Sequence, residues 1–169
     1  GILTFEDSFI NLKQDEYNSL QDSDINIFNL SGSTDLDFIS SKIEVRSNHQ
    51  DVVCFYGDGA NITILNSFIQ TDENLSEEIL STSTNNIFKS YSSDIVVRNS
   101  QIINNSLNGI NFELLDSSST SMLEISDSDI LSANILNNTF SLKVLNETVA
   151  TGIKLKLKDT RGIKMDNLN

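Results

Sequence analysis

Acidic side chains are the residues whose type and spacing come closest to a catalytic pattern in this sequence. Two carboxylates at a defined separation could hydrolyse a glycosidic bond, and a cluster of carboxylates could bind calcium. Five close pairs are present: Asp22/Asp24, Asp35/Asp37, Asp72/Glu73, Glu77/Glu78 and Asp127/Asp129. Because the chain contains 24 acidic residues, such pairs are better explained as solvated charge in turns and loops. We therefore assign none of them a catalytic or metal-binding role.

The other reactive side chains give these carboxylates few partners. The single histidine, His49, lies in a polar turn, where a histidine is usually solvent-exposed and idle. Gly57-Asp58-Gly59 is the tripeptide that most resembles part of a functional site, because flanking glycines let a carboxylate stand clear of the backbone. A tight turn explains it equally well. The single cysteine, Cys54, lies in an apolar run and is predicted to be a small buried hydrophobe. The sequence thus predicts no catalytic residue, metal or cofactor, and an enzyme is the less favoured interpretation.

An internal repeat organises the whole chain. Its pattern is an apolar residue, any residue, a second apolar residue, any residue, a small polar residue, Ser or Thr, any residue, and then Ile. Six copies occupy residues 3–10, 36–43, 62–69, 95–102, 123–130 and 155–163, the last with one extra residue. Their polar turn positions, 7, 40, 66, 99, 127 and 159, are separated by 33, 26, 33, 28 and 32 residues. A period of this length is typical of solenoids.

Each period is predicted to contain three short strands. The apolar alternation is a strand with one buried face, the Asp/Asn-Ser pair is a turn, and the following Ile opens a second strand. A further apolar stretch lies between successive copies, and no period contains a convincing helix, which excludes helical crossovers. The alternative is an antiparallel sandwich, which would show turns every 8–12 residues without the longer period. The sequence favours an all-β parallel solenoid.

With these features the sequence resembles the right-handed parallel β-helix repeats of the pectin-lyase-like superfamily, as a non-catalytic member or segment. The resemblance implies about five to six coils of roughly 30 residues, with residues 1–169 forming a single β-helix unit. It also implies a turn ladder in which polar residues stack from coil to coil. The ladder positions that match are Asp7, Asn66, Asn99, Asp127 and Asp159, whereas Ser40 departs from the Asn/Asp pattern.

Charge and hydropathy exclude two classes of partner. The formal net charge of −13 repels nucleic acid and anionic membranes. No apolar run approaches the roughly 20 residues of a membrane span, so no membrane insertion by this segment is expected. Six Asn-x-Ser/Thr sequons are present, of which Asn61 and Asn146 are predicted to lie at strand edges. The candidate acceptors for N-linked glycan are the other four: Asn74, Asn104, Asn29 and Asn137. Asn74 and Asn104 are predicted to lie in loops.

The ends of the repeat lead to the functional expectation. Neither end carries a polar cap, and bare strand edges need further coils or like subunits to cover them. We expect the chain to be part of a longer extracellular or cell-surface protein, with a structural or adhesive role as a rigid stalk or filament subunit. The alternative, implied by the resemblance, is a carbohydrate-binding or polysaccharide-degrading β-helix whose site lies in projecting loops.

Overall fold

The computed structural model describes residues 1–13, 25–46, 52–72, 85–105, 110–115, 122–132, 142–145 and 154–158. All regular structure in these ranges is β-strand. In chain order the strands are β1 (Ile2–Glu6), β2 (Phe9–Lys13), β3 (Ile25–Ser31), β4 (Asp35–Ile39), β5 (Lys42–Arg46), β6 (Val52–Asp58), β7 (Asn61–Leu65), β8 (Phe68–Asp72), β9 (Asn85–Tyr91), β10 (Asp94–Arg98), β11 (Gln101–Asn104), β12 (Ile110–Leu115), β13 (Met122–Ser126), β14 (Asp129–Ser132), β15 (Leu142–Leu145) and β16 (Lys154–Lys158).

Each strand pairs with the strand three positions later in the chain, and every pairing between described strands is parallel. The first sheet has the order β1-β4-β7-β10-β13-β16, the second β2-β5-β8-β11-β14 and the third β3-β6-β9-β12-β15. The prediction of an all-β fold with parallel, repeating strands is confirmed, and this is the arrangement of a β-solenoid. The antiparallel sandwich is ruled out for the described strands, because a sandwich would need antiparallel neighbours.

The repeat of the sequence sets the register of the sheets. In the first sheet Leu3 pairs with Leu36, Leu36 with Ile62, and Ile62 with Ile95, so the first apolar position of each copy lies beside the same position of its neighbours. Successive residues of a strand point to opposite faces, which buries the apolar positions and leaves the intervening polar ones outside. Leu36, Ile62 and Ile95 are accordingly buried in the core.

The third sheet contributes a column of aromatic rings to the core. Phe28, Phe55, Phe88 and Phe112 occupy the same position in successive strands. Their ring centroids are separated by 5.3, 5.0 and 4.9 Å, and the interplanar angles are 3°, 15° and 1°. Parallel rings at the strand spacing of about 4.8 Å stack face to face while their backbones keep the hydrogen-bond register.

One interior column of the second sheet becomes polar along the stack. Leu12 and Val45 are followed by Thr71 and Asn104 at the same register position. The Thr71 hydroxyl donates to Asn104 Oδ1 at 2.9 Å, and Asn104 Nδ2 donates to the Asn85 carbonyl at 2.9 Å. The prediction that Asn104 lies in a loop is therefore wrong: it ends β11 with only 1% of its surface exposed. Hydrogen bonds to a neighbouring coil make burial of this amide tolerable.

Cys54 lies in β6 and is fully buried, as its apolar surroundings predicted. Burial raises the pKa of its thiol to about 12, because a thiolate in the core would lose its hydration. The thiol therefore stays protonated at neutral pH and behaves as a hydrophobic residue rather than a nucleophile.

The aromatic column should carry a large share of the stability. We expect Phe88→Ala to lower the free energy of unfolding by about 3–5 kcal/mol, because it removes a ring that stacks on two neighbours and leaves a cavity. Phe9→Ala removes a ring that is 59% exposed and should cost less than about 1 kcal/mol. Urea denaturation followed by circular dichroism measures both, and equal losses would contradict the assigned core.

Candidate functional site

A polar corner joins the first sheet to the second in each coil. The residue that opens the corner has a positive φ: 49° at Asp7, 47° at Ser40, 50° at Asn66, 47° at Asn99 and 49° at Asp127. Asn and Asp tolerate this left-handed conformation better than most residues with a side chain, because their short polar groups bond locally. Ser40 adopts it as well, so the departure from the Asn/Asp pattern leaves the turn geometry unchanged.

A serine follows each left-handed residue and links its coil to the one before. Its hydroxyl donates to the carbonyl two residues earlier in its own coil, as Ser67 does to Leu65 at 2.7 Å. The same oxygen accepts the backbone N–H of the equivalent serine in the preceding coil, as Ser67 does from Ser41 at 3.1 Å. The pattern repeats along the stack with distances of 2.9 to 3.1 Å for the links Ser8–Ser41, Ser41–Ser67, Ser67–Ser100 and Ser100–Ser128. We call these residues the serine ladder.

The residue after each serine forms a third, outward-facing column. Its members are Phe9, Lys42, Phe68, Gln101 and Asp129. The Lys42 ammonium group lies 5.5 Å from the Phe9 ring centroid and 5.2 Å from that of Phe68, and it pairs with Glu44 at 2.5 Å. An ammonium over two aromatic faces gains cation–π stabilisation. These residues occupy a position of the repeat that accepts any residue type, so only alignment of the copies would have revealed the column.

Together these three columns line a groove of about 980 Å³ that follows the corner along the stack. Its lining changes along its length. Near the first coil it presents Asp7, Phe9, Lys42 and Phe68, and near the last described corner it presents Asp127 and Asp129. The groove thus carries aromatic rings, one lysine and one carboxylate at one end and two carboxylates at the other, and we take this corner groove as the candidate functional site.

The structure brings the pair Asp127/Asp129 into the groove and places the pair Asp35/Asp37 outside it. Asp127 and Asp129 flank Ser128 in its lining, whereas Asp35 and Asp37 point outward from β4, where Asp35 accepts a 2.7 Å hydrogen bond from Asn61. Both glycines of Gly57-Asp58-Gly59 are explained by the structure rather than by a functional role. A Cβ at position 57 would lie 2.9 Å from Ser93 Oγ, and Gly59 has a φ of 68°. Other predicted residues lie outside the described part of the chain: Asp22, Asp24, His49, Glu73, Asn74, Glu77, Glu78, Asn137 and Asp159.

A second corner, between the third sheet and the first, was not predicted as a ladder. Gly32, Gly59 and Ser92 have φ values of 65°, 68° and 46°. Ser93 repeats the ladder chemistry there, accepting the Ala60 N–H at 3.1 Å and donating to the Tyr91 carbonyl at 2.8 Å. Two of these turn residues are glycine and the third is serine, so no single residue type marks this corner in the sequence.

The corner groove offers hydroxyl, amide and carboxylate groups that can bind a ligand. The Ser41, Ser67 and Ser100 hydroxyls already donate to backbone carbonyls, so none is poised to lose its proton to a base. Among the described residues no group of three or more His, Cys, Asp or Glu side chains is arranged to hold a metal ion. In the same part of the chain no helix is long and apolar enough to cross a membrane.

The chain matches no family model, no curated protein and no solved structure. Its functional assignment therefore depends on its own geometry.

Removing one member of the serine ladder should destabilise the stack. Ser67→Ala deletes the acceptor of a buried N–H, that of Ser41, and should cost about 1–3 kcal/mol. Ser8→Ala is the matched control, because the Ser8 hydroxyl accepts no N–H from a described coil and its bond to the Glu6 carbonyl is exposed. The urea midpoint of each variant measures its loss of stability, provided that the slope of the free energy of unfolding against urea is unchanged. An equal or smaller loss for Ser67→Ala would show that the ladder is not stabilising.

Proposed function

We propose that this chain is a structural or adhesive segment of an extracellular or cell-surface protein, built as a right-handed parallel β-helix of the pectin-lyase-like type. The observation that carries the proposal is the uninterrupted ladder of corners: five successive corners repeat one hydrogen-bonding geometry in register. A stack held this way resists bending, because each coil is tied to its neighbour on three parallel sheets. A rigid spacer requires this property, whereas an enzyme requires a constellation of reactive groups.

Chain chirality supports the handedness, and charge supports the setting. Connections between parallel strands of one sheet are right-handed in nearly all proteins, because right-twisted strands pack back on the sheet only in that sense. The formal charge of −13 keeps such a rod soluble and prevents side-by-side association by repulsion. The chirality argument favours the right-handed form, and the charge argument favours a rod that stays separate along its sides; the repeat period favours about five to six coils.

The face formed by the first coil favours further coils or like subunits as partners. Leu3, at an inward-facing position of the first coil, is 42% exposed, whereas its register partner Leu36 is fully buried by coils on both sides. A coil of the same kind placed on this face would pair the edge of β1 that no described strand occupies and would bury Leu3. We call it the first-coil face.

Light scattering across protein concentrations tests this partner. We expect the measured mass to rise above 18.8 kDa with concentration, because a coil of one subunit covers the first-coil face of another. Leu3→Lys should keep the protein monomeric, since a second subunit would have to bury an ammonium group that has no opposite charge beside it. Asn11→Lys adds the same charge to the exposed outer side of the same coil and should behave as the wild type.

A chain that stays monomeric at every concentration would overturn like subunits as the partner and leave further coils as the partner of this face. Release of reducing ends from acidic polysaccharides by the pure protein would replace the structural role with an enzymatic one. Circular dichroism of each variant ensures that a loss of association is not a loss of folding.

A carbohydrate-binding role is the second candidate, and the corner groove favours it. Phe9 and Phe68 present partly exposed rings there, and the remaining lining is rich in hydroxyl, amide and carboxylate groups. Aromatic faces with polar groups beside them suit the apolar and hydroxylated faces of a sugar ring. The acidic end, with Asp127 and Asp129, favours a neutral saccharide over an anionic one.

Calorimetric titration with a panel of neutral and acidic oligosaccharides tests this candidate. We expect any neutral oligosaccharide that binds to lose at least about tenfold in affinity in Phe68→Ala, which corresponds to about 1.4 kcal/mol. Tyr91→Ala removes an aromatic side chain from the third sheet, outside the groove, and should leave the affinity unchanged. Equal losses in the two variants, or no binding by any saccharide, would contradict a groove site.

A further inference from the structure

Three of the Asn-x-Ser/Thr sequons have their asparagine in the described part of the chain, and the structure places these asparagines in different environments. Asn104 is buried and its amide nitrogen donates to the Asn85 carbonyl at 2.9 Å. Asn61 is exposed at the start of β7, but its amide nitrogen donates to Asp35 Oδ1 at 2.7 Å. Asn29 is exposed, and its side chain makes no hydrogen bond to any described residue.

The position of Asn29 within β3 leaves room for a large substituent. Its sequence neighbours Phe28 and Leu30 are buried, so the alternation of the strand directs Asn29 outward. Ser31, the hydroxyl residue of the sequon, is exposed on the same outer side two positions later. A glycan on this side chain would project from the third sheet whether or not another coil covered the edge of β3.

The neighbouring coil gives the first sugar a surface to pack against. Asn29 pairs with Tyr56 of β6, whose ring is partly exposed and lies 6.0 Å from that of Tyr91. The apolar face of a sugar packs well on an exposed aromatic ring. The corresponding neighbour of Asn104 is Thr71, inside the core, where no sugar could enter.

We propose that Asn29 is the N-glycan acceptor among these three sequons, and that Asn61 and Asn104 are not modified. In the transfer, the Asn29 amide nitrogen attacks C1 of an oligosaccharide linked to a lipid diphosphate. The new N–C1 bond forms as the C1–O bond to diphosphate breaks, the amide loses one proton, and the lipid diphosphate departs. The occurrence of this reaction in the native protein rests on the proposed extracellular location, whereas the choice of acceptor rests on the fold alone.

Secretion of the full chain from a eukaryotic host, followed by mass spectrometry of its peptides, tests the choice of acceptor. We expect glycan on the peptide that contains Asn29 and unmodified peptides for Asn61 and Asn104. Asn29→Gln and Ser31→Ala should each remove that glycan, because either change destroys the sequon. Asn61→Gln is the matched control, and it should leave the glycan pattern unchanged.

An unmodified Asn29 in folded, secreted protein, or glycan on Asn61 or Asn104, would overturn the proposed acceptor. Mapping each peptide separately keeps the result independent of the sequons outside the described residues. The same analysis of protein from its native source tests the extracellular location: absence of all glycan there, with Asn29 occupied in the secreting host, would overturn the location and uphold the acceptor.

Discussion

The structure depends on one relay of hydrogen bonds at the corner between the first and second sheets. From Ser41 to Ser128, each serine hydroxyl donates to a carbonyl of its own coil and accepts an N–H from the coil before, as Ser67 does with Leu65 and Ser41. One side chain therefore satisfies groups that the turn would otherwise leave buried and unpaired. The relay requires the preceding residue to hold a left-handed backbone, which places Asp7, Ser40, Asn66 and their equivalents in one conformation. The backbone ladder continues through the corner, as the bonds from Asn66 N to Arg98 O and from Phe68 N to Ser41 O show.

Packing and surface both follow from this corner. Because every coil turns at an equivalent point, apolar residues of successive coils fall in register, and Phe55 and Phe88 stack with centroids 5.0 Å apart. The same alignment gathers outward residues into columns. The position after each serine, which the core does not restrict to one residue type, thereby lines a groove. Lys42 between Phe9 and Phe68 is the clearest case, since residues far apart in the sequence meet only because of the coil period. A solenoid thus creates a binding surface as a consequence of its regularity.

The sequence predicted the strands and the first corner well because both have local chemical signatures. Apolar alternation marks a half-buried strand, and an Asn/Asp-Ser pair marks a left-handed turn. The second corner escaped prediction because Gly32, Gly59 and Ser92 share a conformation but not one residue type, since two are glycine and one is serine. Asn104 was misplaced for a related reason: a polar residue after an apolar strand suggests a loop, and only the contact with Thr71 and Asn85 in other coils explains its burial. Long-range pairing of polar groups leaves no trace in local periodicity.

Disulfide trapping between adjacent coils is the most direct test of the parallel, in-register stack. Asp37 of β4 pairs with Thr63 of β7, both on the outer face, and neighbouring strands lie about 4.8 Å apart, within the range that a disulfide spans. In a Cys54→Ala background, Asp37→Cys with Thr63→Cys should oxidise rapidly to an intramolecular disulfide. Asp37→Cys with Leu65→Cys, shifted by two residues along β7, should oxidise far more slowly. Equal rates for the two pairs, or faster bonding of the shifted pair, would contradict the register on which the whole structure depends.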